Sequence, residues 1–345
     1  TGAEIQVLAG QTRFAMDLLN DVLRYPSFPE DRLEQAKSIA VAQIQSEEDD
    51  ADSVARDLFF EELFKGHPSH KPALGYERTV KGITREDVLA HYRRYYRPEN
   101  TIIAVVGDIS PSAVLGLIKT RFTDWSGEGQ TVMPEFPRLE RGSAAGTRYR
   151  FMETEHLSVY LGHVGVRRDH PDYYALRVAD TILGGGTGFS SRLASVLRND
   201  RGLAYTVWGA TTAYAGVEPG AFMCYSDPPP EKKSAAIDGM SAEIRKFLAE
   251  GPTDEEFRNA KEHMRKKFVF QFETLDSVAD YLISSRRYNL GVDYYRRYPR
   301  MIDSLTREEV VAALKRNVDP EKLIVIVVGP VDEKGNVKKT GDRKE

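Results

Sequence analysis

The sequence predicts an α+β protein built from one α/β unit present twice. Three observations predict it. The chain has 345 residues, more than one ordinary core accommodates and a fit to about two domains. Residues 83–107 (ITREDVLAHYRRYYRPENTIIAVVG) recur as residues 305–329 (LTREEVVAALKRNVDPEKLIVIVVG), an ungapped offset of 222 with 12 of 25 positions identical. Upstream, 33–37 (LEQAK) resembles 257–261 (FRNAK), and 52–55 (DSVA) recurs as 276–279, both at an offset of 224. Matches at one near-constant offset signal a duplicated unit rather than scattered coincidence.

The elements follow in chain order. Residues 4–9 read as a strand leading into a helix over 11–25, and 29–46 and 52–64 read as helices. Thr84 stands where an N-cap belongs, with Asp87 three residues on, a capping-box pattern. The helix it opens stops before Pro98, because proline disfavours helix at the preceding residue. The β-branched run 102–106 predicts a strand ended by Gly107. Pro134, Pro137 and the polar stretch 138–146 mark a linker. In the second copy, 157–162 is strand-like and 173–183 helical. Residues 220–227 predict a strand leading into a helix over 232–249, and 254–270 and 277–288 predict helices. Thr306 and Glu309 repeat the capping box, and the strand 323–328 ends at Gly329. The expected organisation is a first domain over 1–131, a linker over 132–146, a second domain over 147–335 and a polar tail over 336–345. About 113 residues of the second copy precede Ala260, whereas 35 precede Ala36. The first copy is therefore expected to lack roughly 75–80 residues at its start, holding a strand or two and the counterpart of helix 173–183.

Composition narrows the function classes. Lys+Arg 48 against Asp+Glu 52 gives a net charge of −4, which argues against a basic nucleic-acid binder. No apolar run approaches the ~18–20 residues that cross a bilayer. The single cysteine, Cys224, excludes an intrachain disulfide and a multi-cysteine zinc site. The start, Thr1-Gly2-Ala3-Glu4, lacks a Met and a signal pattern and reads as cut or processed. The compartment is left open, with a soluble protein of bacterial cytoplasm or periplasm expected.

Two stretches carry a family resemblance: 66–109 (GHPSHKPALGYERTVKGITREDVLAHYRRYYRPENTIIAVVGDI) and 182–222 (ILGGGTGFSSRLASVLRNDRGLAYTVWGATTAYAGVEPGAF). The first resembles the first domain, and the second the start of the second domain, of insulinase/pitrilysin zinc metallopeptidases of the mitochondrial-processing-peptidase type. The resemblance implies tandem domains, each a largely antiparallel sheet covered by helices. It also implies an inverted motif, His-x-x-Glu-His, whose histidines bind Zn²⁺ while the Glu acts as general base. Glu155-His156 and Glu262-His263 are the Glu-His pairs, but Met152 and Asn259 stand where the first His belongs. The third ligand, a Glu on a later helix, aligns with Gln43, and a neutral amide is a poor substitute for a carboxylate on zinc. Glu47, one turn on, lies roughly 6 Å along the helix axis, too far to replace it. Metal ligation by this chain is therefore not expected, and zinc is expected in a partner subunit or in the missing segment.

The same resemblance assigns a role to Arg198 and Tyr205, seven residues apart: binding substrate and steadying the tetrahedral intermediate in a partner's active site. Both side chains donate hydrogen bonds suited to developing negative charge. Their plain alternative is a salt bridge and a packed ring. Gly184, Gly185 and Gly186 resemble the start of the processing peptidase's glycine-rich loop, which implies peptide contact. The run lacks the phosphate-loop pattern and follows a helix, which argues against nucleotide binding and for a turn after the helix. Pro68 between His67 and His70 breaks any helix, which favours a surface loop over a metal site. His156 and His163 read as structural. Tyr92, Tyr95 and Tyr96 share one helix face with the arginines mostly turned away, a core-plus-solvent pattern.

Three readings follow. The first is an Arg/Tyr-bearing subunit whose partner is a homologous zinc-bearing subunit, or a second copy, with an unfolded peptide as substrate. The second is a truncated catalytic zinc peptidase, against which Gln43 argues. The third is a non-enzymatic assembly subunit, which has no need of the Arg198–Tyr205 pair.

Overall fold

The computed structural model describes residues 2–126, 136–139, 145–185 and 191–338. Pro134, Gly186 and the residues 339–345 of the expected tail lie outside the described residues. The chain is α+β, with helices around one mixed sheet. The strands are β1 (Gly146–Phe151), β2 (Ser158–Val164), β3 (Val207–Ala213), β4 (Ala221–Ser226) and β5 (Ile324–Gly329), in the order β1-β5-β2-β4-β3. β1 runs parallel to β5, and the other pairings are antiparallel.

β2 and β4 are buried along their whole length because both sheet faces are covered, which is why they read as near-continuous apolar runs. Alternation assigns the faces. Val159, Leu161, Phe222, Cys224 and Val327 join a core with Leu176 and Ala179 of helix Tyr173–Asp180, Met240 and Ile244 of helix Lys233–Glu250, and Leu314 of helix Arg307–Asn317. Tyr160, Met223, Tyr225, Ile326 and Val328 face the other way, onto Ala55, Phe59 and Leu63 of helix Ala51–Leu63. Tyr160 Oη donates to Asp52 Oδ1 at 2.7 Å. Burial and that bond push the phenol well above its ordinary value.

The residues form two compact units that divide the repeat unevenly. One is drawn from Thr1–Gln43, Gly75–Glu135 and Val269–Val292, the other from Ile44–Leu74, Phe136–Phe268 and Asp293–Glu345. Helix Ala51–Leu63 of the first copy belongs to the second unit. Its counterpart 224 residues on, Leu275–Arg287, belongs to the first unit. The two copies trade the same helix.

Local signals held. Thr84 Oγ1 accepts from Asp87 N–H at 3.2 Å while Asp87 Oδ2 accepts from Thr84 N–H at 2.9 Å. Thr306 and Glu309 repeat this at 3.1 and 2.8 Å. The expected strands 4–9 and 102–106 did not form: neither has a ladder partner among the described residues. A strand needs a neighbour for its backbone groups, and β5, counterpart of 102–106, has one on each side.

The same contrast marks the helices that follow. Phe14, Leu18, Val22 and Tyr25 form a stripe along helix Thr12–Arg24 and are 39–64% exposed. Helix Lys233–Glu250, which likewise precedes the matching block 257–261 in the second copy, carries an apolar stripe of Ala236, Met240, Ile244 and Phe247, each at most 2% exposed.

Candidate functional site

The segment that carries Arg198 starts from a fixed point. Arg192 Nε and Nη2 donate to the two carboxylate oxygens of Glu256 at 2.6 and 2.7 Å, and Nη2 also reaches Gly251 O at 2.9 Å. Burial pushes the Glu256 carboxyl up, but the Arg192 hydrogen bonds and charge together with the Thr253 hydrogen bonds hold the group below its ordinary value. Leu193, Ala194 and Leu197 then plant the segment in the core. Residues Ala194–Asp200 form a wide π-type turn with Arg198 half-buried near its end. Such turns concentrate at functional sites.

The chain reverses at Gly202, whose φ of +56° is the left-handed conformation that glycine adopts without a Cβ penalty. Gly202 N–H donates to Arg198 O at 3.1 Å and Leu203 N–H to Leu197 O at 2.7 Å. Leu203 and Ala204 return to the core, and Tyr205 then emerges 73% exposed. The Arg198 guanidinium carbon lies 4.6 Å from the centroid of the Tyr205 ring, within cation–π range. The two residues separated by seven positions are therefore in contact.

Asp227, just past β4, holds the turn that presents Tyr205. Its Oδ1 accepts the N–H groups of Tyr205 and Thr206 at 2.9 and 2.6 Å. Lys232 Nζ donates to Gly202 O at 2.8 Å. Sequence reasoning missed both residues, since each acts across at least twenty positions. Asp180 was missed for the same reason. It is buried and accepts from the Thr211 N–H and from the Thr211 and Thr212 hydroxyls, pinning helix Tyr173–Asp180 to β3.

Gly184 and Gly185 close the wide turn Thr181–Gly185, and the first has a packing reason to be glycine. A Cβ at Gly184 would overlap the Gly209 amide of β3.

The described residues do not form a zinc site. Gln43 is exposed on helix Glu30–Glu48 and offers only an amide. No group of three His, Cys, Asp or Glu side chains is placed to hold a metal among the described residues. His67, expected in a surface loop, is instead buried: its Nδ1 accepts from Ser69 N–H at 3.1 Å, and Nε2 lies 3.7 Å from Glu218 Oε2. One ring nitrogen occupied by backbone and one lone carboxylate do not make a metal site. His163 is structural, bonded to Val164 O and accepting from Asp319 N–H. Tyr92 is half-buried with its hydroxyl donating to Leu23 O at 2.7 Å, while Arg93 and Arg94 are exposed. No helix among the described residues is long and apolar enough to cross a membrane.

One mixed sheet with a helix-packed core on each face, in a chain with a duplicated sequence unit, defines a peptidase-like fold. The chain belongs to the peptidase M16 family, matching its inactive domain over residues 82–264. It is 27% identical over 272 residues to the uncharacterized zinc protease YmxG of Bacillus subtilis, covering 79% of this chain and 64% of that protein. The chain thus spans less than two thirds of that relative's length. An uncharacterized zinc protease of Mycobacterium leprae is 28% identical over 95% of this chain and 73% of its own length. The crystal structure of a peptidase M16 inactive domain from Pseudomonas fluorescens shares the fold at a TM-score of 0.86 and 24% identity, over 96% of this chain and 77% of that one. A chain of complex III from Candida albicans shares it at 0.78 and 18%, over 95% and 80%.

Proposed function

We propose that this chain is the Arg/Tyr-bearing, non-zinc subunit of an M16 peptidase, binding peptide in the active site of a homologous zinc-bearing partner. The observation that carries the reading is the Arg198–Tyr205 contact, built on a turn anchored by Gly202 and Asp227. Tyr205 is exposed and Arg198 half-buried beside it. A phenol and a guanidinium presented together donate hydrogen bonds to a substrate carbonyl as it gains charge. Gly184 to Gly186 would border the peptide. Metal and general base would belong to the partner, and Gln43, an amide where the resemblance implies a carboxylate ligand, supports that division.

The experiment is reconstitution. The chain alone should not cleave an unfolded peptide with zinc present. Mixed with a zinc-bearing M16 subunit that is weakly active by itself, it should raise peptide cleavage saturably. Cleavage by the chain alone, or no stimulation by any M16 subunit encoded beside it, contradicts the proposal.

A further inference from the structure

The sheet has two edges, and they are finished differently. At β3 the edge is closed: Thr211 N–H is taken by Asp180, and Gly209 is covered by Gly184. At β1 it is open. The ladder to β5 begins with Gly146 N–H to Leu323 O at 3.2 Å and ends with Met152 N–H to Gly329 O at 2.9 Å. Even-numbered residues therefore bond β5, and the N–H and C=O groups of Thr147, Tyr149 and Phe151 point to the outer side. The only partner among the described residues for these outward groups is the neighbouring Arg148 guanidinium, 3.3 Å from Thr147 O. Open edges of this kind accept another strand unless charge prevents it.

Four basic side chains lie along this edge, one of them paired with Glu62. Arg148 and Arg150 share one face of β1. Arg148 reaches Glu62 at 3.6 Å, while Arg150 is exposed without an ion-pair partner among the described residues. On the other face Lys233 lies 5.1 Å from the Tyr149 ring centroid and Lys338 4.5 Å from that of Phe151. A second copy pairing antiparallel about Tyr149 would set Arg148 opposite Arg150, and directly opposed like charges disfavour that pairing. A strand with carboxylates at those positions would meet two arginines instead.

We propose that the outer edge of β1 is a docking site for an extended acidic segment of another polypeptide, which adds to the sheet as a sixth strand. The backbone of Thr147, Tyr149 and Phe151 supplies the ladder, and Arg148 and Arg150 supply the charge selection. This site is independent of the Arg198–Tyr205 reading.

The test uses a seven-residue peptide alternating Val and Glu, N-methylated on alternate residues so that its far edge cannot self-pair. Fluorescence anisotropy should show saturable binding to the full chain that weakens in high salt. Amide exchange should slow at Thr147, Tyr149 and Phe151. Replacing Glu by Lys in the peptide should weaken binding about tenfold or more, as should Arg150→Glu, with Arg150→Gln giving a smaller loss should the first variant fold poorly. Equal binding of the Glu and Lys peptides overturns the proposal. So does protection confined to other amides, or concentration-dependent protection of β1 without peptide, which would mark self-pairing.

Discussion

Helices Thr12–Arg24 and Lys233–Glu250 each precede the repeated block 33–37/257–261 and each carry an apolar stripe, yet one stripe is exposed and the other is core. Residues 102–106 and β5 repeat the lesson for strands: similar β-branched runs, one without a ladder partner among the described residues and one hydrogen-bonded on both sides. Pattern decides which face of an element is able to be buried; neighbours decide whether it is. The second copy has those neighbours in β2, β4 and helix Tyr173–Asp180. The copy that is fully packed is also the one that presents Arg198 and Tyr205, and positioning two side chains within a few ångströms needs a rigid base.

Mutations sharpen the comparison, beginning with the traded helix. Phe59→Ala removes a fully buried ring from the sheet face and should cost about 3–5 kcal/mol. Its counterpart Ile283 is half-buried, and Ile283→Ala should cost less than half as much by denaturant unfolding. Next, Met240→Ala should cost about 2–5 kcal/mol, whereas Leu18→Ala, on the exposed stripe of helix Thr12–Arg24, should fall within about 1 kcal/mol. Equal costs at the two positions would mean that the stripe of helix Thr12–Arg24 is covered in solution. The caps should not discriminate: Thr84→Ala and Thr306→Ala each remove one capping-box oxygen and should each cost about 1 kcal/mol.

The smallest effect expected is on pH. Arg316 hydrogen bonds at 2.7 and 3.0 Å hold the Asp172 carboxyl below its ordinary value. A carboxylate depressed in the folded state adds stability above its unfolded pKa of about 4, and that contribution disappears as pH falls through the lower folded value. The stability gap between the wild type and Asp172→Asn should therefore be present at pH 7 and shrink below about pH 4. Arg94, the counterpart of Arg316, lies over Tyr95 instead (5.2 Å), so Arg94→Gln should show no such acid dependence.

Apart from the repeat, what could be read from the sequence was local. Both capping boxes and the helix end before Pro98 involve residues a few positions apart, and they held. Arg198 and Tyr205 were singled out because a family resemblance marks residues at that spacing; their contact is seen only in the structure. Asp227 was not legible, because nothing near it in sequence says that its carboxylate will collect two amides more than twenty residues upstream. The traded helices were invisible for the same reason: their amphipathic pattern names a buried face but not which copy's elements will cover it. His67 misled because the proline beside it rightly predicted a turn, whereas its burial came from distant residues such as Glu218 and Phe136.

The most direct measurement of the central claim is kcat/KM for peptide cleavage by the reconstituted pair, comparing wild type with Arg198→Ala/Tyr205→Phe at saturating partner. Loss of hydrogen-bond donors to developing charge lowers rates by about 10²–10³ for one donor. The account predicts a fall of at least about a hundredfold, carried largely by kcat, with the thermal midpoint and partner affinity unchanged. An unchanged kcat/KM for the double variant would contradict it.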